Sequence, residues 1–166
     1  MVEDKFFFQK GEQIYKTENE NDIQKIEMGG VTFFNTQFTN SDGKTKKGFL
    51  IALAKGDCDL YKKIQKEFKE EKKAQAYDSY KRARFEEKYP EYYIKTPQMN
   101  VARSIDELWN KEILKNIFPG KWREKFMASF FPDEKEKLLK LVEEKNIKLT
   151  KVKGMVEFVN LYNNLK

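Results

Sequence analysis

The chain has 166 residues, 33 of them basic and 27 acidic, for a formal net charge of +6, with no histidine and a single cysteine. Lacking histidine, it excludes Ser–His–Asp and Cys–His catalysis, histidine general acid–base chemistry and histidine metal sites; lacking a second cysteine, it excludes an intramolecular disulfide and a cysteine-held zinc or iron–sulfur centre. The 14 Phe, 8 Tyr and 2 Trp supply enough apolar bulk for a core, unlike the aromatic-poor composition of disordered chains.

A lone thiol suits a reducing compartment, so a cytoplasmic protein is expected. The apolar run near the start, Phe6 to Phe8, is far too short for a signal-peptide core. The longest apolar run, Phe49 to Ala54, is too short to cross a membrane as a helix. The first 57 residues are close to neutral, and the positive excess falls in the remainder, diluted by interspersed acid. The length suits one domain, residues 1–166, divided into a strand-rich front over residues 1–56 and a helical rear over residues 57–166.

In chain order, residues 5–17 read as a strand, a turn at Gly11 and a second short strand. Gly29-Gly30 marks a turn or bulge. Residues 31–39, aromatic and Thr-rich, and residues 48–55, apolar, read as a hairpin across the Asp42-Gly43 turn signal. This predicts an N-terminal antiparallel sheet of three to five strands over about residues 5–55. After Gly56-Asp57 the pattern changes. Leu60, Ile64 and Phe68 recur every four residues and predict a helix over 58–88, as one piece or two, ended by Tyr89-Pro90. Residues 90–103 read as an irregular connector. Ser104 to Glu107 forms a capping-box pattern opening a helix to about Ile117, with a break at Pro119-Gly120. Trp122, Phe126 and Phe130 share a helical face, Pro132 starts a helix carrying Leu138 and Val142, and residues 154–165 form a last one. The expected fold is α+β: the sheet in front and four to six helices behind.

Three groups of residues bear on chemistry. Asp57 and Asp59 could hold a divalent metal at a strand end, as in metal-dependent nucleases and transferases, although acids there more often cap a helix. Cys58, at the same place, has no histidine base, and a free cysteine is more often packed than reactive. No metal site and no cofactor is assigned. Gly43-Lys44-Thr45 matches the end of a phosphate-loop pattern, but Phe38 stands where the upstream glycine is required.

The third group is basic. Lys62, Lys66, Lys69 and Lys73 fall on one helical face; Lys81, Arg82 and Arg84 extend it, with Tyr77 and Tyr80 between, and Lys44, Lys46 and Lys47 decorate the hairpin. Lysines beside aromatics suit a phosphate backbone and unpaired bases; glutamates interleaved with them suit a solvated face instead. The paired aromatics 6–8, 33–34, 92–93 and 130–131 would each expose one ring on a one-sided sheet, which favours an exposed apolar patch. The expected function is a non-enzymatic protein that docks on and inhibits or adapts a larger protein, such as a nucleic-acid-processing enzyme. Small lysine-rich proteins of this design are common among phage and mobile-element products. The alternatives are a direct DNA- or RNA-binding module using 62–88 and a metal-dependent enzyme at Asp57 and Asp59.

Overall fold

The computed structural model describes residues 7–10, 13–16, 23–64, 66–69, 84–87, 89–105 and 119–165. Two strands, β1 (Phe7–Lys10) and β2 (Gln13–Lys16), pair as a hairpin. Strand β3 (Lys25–Met28) turns back into β4 (Val31–Thr39) through Gly29-Gly30. Both glycines have positive φ, 59° and 75°, the type I′ geometry that matches strand twist in a two-residue loop and that side chains resist. Strand β5 (Thr45–Ala54) follows the Asn40–Lys44 turn. There the Asn40 side chain accepts the Lys44 N–H at 2.9 Å and Gly43 adopts φ 75°. The 31–39/48–55 hairpin is therefore as the sequence predicts.

Where residues 58–88 are described they form strands rather than the predicted helix, and residues 70–83 lie outside the described residues. Strand β6 (Asp59–Lys63) pairs with β5, and β9 (Glu91–Lys95) pairs with β6. Strand β10 (Ala102–Ser104) pairs with β9 and then, in parallel, with β4 (Ala102↔Phe38). Strands β4, β5, β6, β9 and β10 thus form a closed five-stranded barrel, with β3 as an added sixth strand on β4. Antiparallel neighbours in an odd-numbered meander leave the first and last strands running the same way, so the closing pair must be parallel. Closure pairs β10 with β4, which leaves β3 as the end strand of the sheet.

This corrects the expected fold. The sheet is closed rather than open, it extends through residue 104 rather than ending at 55, and the described residues hold three α-helices rather than four to six. The expected boundary near Gly56-Asp57 is a loop between two barrel strands. The reason lies in the spacing: positions 60, 64 and 68 satisfy a helix, but they are also all even and so satisfy the period of two of a strand. The connector read over 90–103 contains β9 and β10, and the aromatic run at Tyr92 to Ile94 is the strand signal there.

Between β6 and β9 the chain makes a second two-stranded ladder, β7 (Lys66–Lys69) with β8 (Arg84–Glu87). The last pair of β6 with β9 is Lys63↔Glu91, and the first pair of β7 with β8 is Lys66↔Glu87. This ladder, the arm, is a separate two-stranded sheet that lies in the chain between β6 and β9. Among the described elements, β7 and β8 make extensive contact only with each other.

The helices are α1 (Pro119–Phe130), α2 (Lys135–Glu144), preceded by a 3₁₀ turn at Pro132–Glu134, and α3 (Val152–Asn164). Pro119 and Gly120, where the sequence predicts a break, both lie in α1, and residues 106–118 before them lie outside the described residues. Ser104 ends a strand, and the rest of the predicted 104–117 helix, from residue 106 on, lies outside the described residues.

Two cores result from strand alternation. Inside the barrel pack Phe38, Leu50, Tyr61, Tyr93 and Ala102, with Phe34 and Ala52 at one end. Outside it, Leu60, Tyr92 and Ile94 meet the helices through Trp122, Phe126, Phe130, Phe131, Phe158 and Tyr162. Neighbouring tyrosines 92 and 93 thus point into different cores and both are buried. The sequence predicts an exposed ring in such pairs; instead the barrel covers one face of β6 and β9 and the helices cover the other. Phe130 and Phe131 are likewise both buried, whereas the rings of residues 6–8 lie outside the described side chains. Burying one such aromatic side chain stabilises by about 1.5–3 kcal/mol.

Candidate functional site

The sequence-predicted site residues divide three ways. Lys73, Tyr77, Tyr80, Lys81 and Arg82 lie outside the described residues. Lys66, Lys69 and Arg84 are on the arm, where Lys69 faces Arg84 and Lys66 faces Glu87 in register. Lys62, with its neighbour Lys63, is on β6, and Lys44, Lys46 and Lys47 are at the β4–β5 turn and the start of β5. A helical face through Lys62, Lys66 and Lys69 does not exist, because all three positions are in strands.

The barrel gathers the charges differently. Phe38 is the cross-strand partner of Lys46, and the ammonium of Lys63 stands 4.7 Å from the centre of the Phe38 ring. A cation over an aromatic face is attracted by the ring quadrupole. Lys46 and Lys63 therefore converge on one end of the barrel, the end that carries the exposed turn with Lys44 and the root of the arm. Lys47 and Lys62 follow and precede them and so face outward. Acids at this end include Asp42 in the turn, Glu67, Glu86 and Glu87 on the arm, and Glu91, which pairs in register with Lys63 and accepts the Tyr93 hydroxyl at 2.6 Å. Tyr89, at the root of the arm, is 96% exposed. Sequence reasoning misses Lys63 and Tyr89 because the helical stripe passes both by; a strand reading of 59–63 finds Lys63.

The opposite end of the barrel holds the acidic pair. Asp59 is buried, and its carboxylate accepts from Lys55 Nζ at 2.6 Å, from the Tyr61 hydroxyl at 2.9 Å and from the Gly56 N–H at 3.1 Å. Lys55 also donates to the Tyr61 oxygen at 3.0 Å and lies 4.9 Å over the Phe34 ring. Burial opposes the charge on Lys55, but the hydrogen bonds to Asp59 and Tyr61 outweigh it and raise its pKa above the usual lysine value. Burial, reinforced by the Asp59 charge, raises the Tyr61 pKa. Asp59 is thus committed to a structural ion pair, and Asp57 beside it is exposed. Glu27, the further acid a metal site would need, is on β3 and pairs with Lys25 at 2.8 Å. Among the described residues no group of three acids or cysteines is placed to hold a metal. Cys58 is fully buried. Neither aspartate caps a helix, since Asp59 opens a strand.

Beside Lys55 a groove of about 430 Å³ opens where β4 and β5 part. Its walls are Val31, Thr32, Phe34 and the β5 residues Ile51 to Ala54. The ladder between the two strands ends at Phe33↔Ile51, although both strands continue.

Comparisons with protein-family models, with curated proteins and with solved structures find no match for this chain. Among the described residues, no helix is long and apolar enough to cross a membrane.

Proposed function

We propose that the protein is a non-enzymatic binding module that docks the arm-bearing end of its barrel on an acidic surface of a larger protein. One observation carries this reading: strand register and the Lys63–Phe38 contact bring Lys46 and Lys63 to a single end of the barrel, the end of the turn that carries Lys44. Clustered like charge in a folded module raises local potential and steers an oppositely charged partner. The arm carries Lys66, Lys69 and Arg84 together with Glu67, Glu86 and Glu87, so its described residues add no net charge.

A second reading, binding of single-stranded nucleic acid, is favoured by Tyr89. An aromatic side chain 96% exposed offers a surface on which an unpaired base can stack.

Retention of the protein on immobilised polyglutamate and on a single-stranded oligonucleotide, at rising salt, tests both. The docking reading expects retention on polyglutamate at low salt, lost in the Lys44→Glu, Lys46→Glu double variant. Preferential retention on the oligonucleotide, weakened about tenfold by Tyr89→Ala, would replace it with the second reading. No retention on either at low salt sinks both.

A further inference from the structure

The groove at the other end of the barrel does not depend on the basic end, and its chemistry differs. Lys55 has three N–H donors. Asp59 and the Tyr61 hydroxyl take two of them, and the ammonium lines the groove with its side chain 43% exposed. Asp59 already supplies the neutralising charge. A second carboxylate placed on Lys55 would gain one cation and face the Asp59 anion behind it. An uncharged oxygen acceptor meets no such opposition, and hydrogen bonds to a charged donor are stronger than neutral ones.

The remaining walls mix apolar side chains with Thr32 and exposed main chain, with Phe34 and Ala52 on the barrel side and Val31 at the rim beside its cross-strand neighbour Met28. Both rim residues are partly exposed, 36% and 46%. Thr32 and Ala52, one step beyond the last paired position, face each other across the opening without being register partners. Strand edges that leave a ladder are where another main chain bonds. The volume falls within the usual range of about 300–1,000 Å³ for ligand sites.

We infer that this groove receives an uncharged peptide segment of a protein partner, an aliphatic side chain against Phe34 and Ala52 and a main-chain carbonyl on Lys55. The carbonyl accepts the third ammonium N–H. The amide of the segment lies along the parted edges of β4 and β5.

The test uses the whole protein, isotope-labelled, with N-acetyl-leucine N′-methylamide as the probe and amide chemical shifts as the readout. Saturable shifts are expected at Thr32, Ala52 and Lys55, with α1 unaffected. Lys55→Met, which leaves Asp59 its bonds from Tyr61 and Gly56, is expected to weaken the probe about tenfold. Val31→Asp, a change at an exposed position that the fold tolerates, is expected to weaken it as well by charging the rim. Octanoate is expected to bind less well than the amide, and so is pentyl methyl ketone, which lacks an amide N–H. Absence of saturable shifts, or undiminished binding in both variants, overturns the proposal. Tighter octanoate binding overturns the uncharged ligand class. Equal or tighter binding of the ketone overturns the peptide assignment.

Discussion

The side-chain amide of Asn163 is bonded to both main-chain groups of Cys58, 105 residues earlier in the chain. Its Oδ1 accepts the Cys58 N–H at 2.8 Å, and its Nδ2 donates to the Cys58 carbonyl at 2.9 Å. One side chain at the end of α3 thereby holds the loop that joins β5 to β6. The same loop carries Gly56 and leads into Asp59, so the helical layer and the ion pair at the barrel end are mechanically linked.

Replacing Asn163 with alanine removes both bonds and leaves polar groups of a buried residue without those partners. A loss of about 1–3 kcal/mol in unfolding free energy is expected, read by urea denaturation. Gly56→Ala should act through the same contact, because its added methyl would stand 2.5 Å from the Asn163 amide carbon. The two changes share a partner, so the double variant should lose less than the sum of the singles.

Gly154 in α3 lies under the turn that precedes the helix. A Cβ there would come 2.2 Å from the carbonyl oxygen of Lys148, a main-chain atom that cannot rotate away. Gly154→Ala normally strengthens a helix by about 1 kcal/mol. Here it should destabilise by about 1–3 kcal/mol, since backbone must shift. An unchanged or raised Tm for Gly154→Ala would show that the turn can move.

The thiol of Cys58 is fully buried, and its main chain is held by Asn163. It should react with a disulfide reagent only at the rate at which the loop opens, and freely in denaturant. Asn163→Ala should speed the native reaction. Rapid labelling of the native wild type would revive the nucleophile that the burial argues against.

Stability should fall at alkaline pH. Lys55 is raised by its bonds to Asp59 and Tyr61 against the opposing effect of burial, so its contribution is complete below the unfolded lysine value of about 10.4 and is lost as pH rises through the higher folded value. Tyr61 and Tyr162 are raised chiefly by burial, Tyr162 with help from its hydrogen bond to Glu134 at 2.9 Å. Both therefore resist ionisation while folded and favour unfolding above about pH 10, where a free tyrosine loses its proton. Tm should be flat from about pH 8 to about 10 and decline above it, and ultraviolet titration should show these two tyrosines ionising only with unfolding. A Tm that rises through this range would contradict the Lys55–Asp59–Tyr61 arrangement.

Much of the local structure is legible in the residues. The Gly29-Gly30 and Asp42-Gly43 signals specify tight turns whatever surrounds them, because few other residues accept positive φ. Trp122, Phe126 and Phe130 define the buried face of α1, and their rings follow one another at 5.4 and 5.1 Å. The absence of histidine and the lone cysteine bound the chemistry directly. What stays hidden is pairing over distance. Leu60, Ile64 and Phe68 obey two periods at once, and pairing selects the strand, with β5 and β9 for Leu60 and with β8 for Phe68. Lys46 and Lys63 are far apart in the chain and meet through Phe38, and the groove exists because two strands part at Phe33 and Ile51. Periodicity and turn chemistry act within a few residues, so the sequence alone determined the turns, the helical faces and the excluded chemistries. Barrel closure, the basic end and the Asn163–Cys58 link depend on which strands and helices come together, and that was decided by burying two opposite faces of β6 and β9 at once.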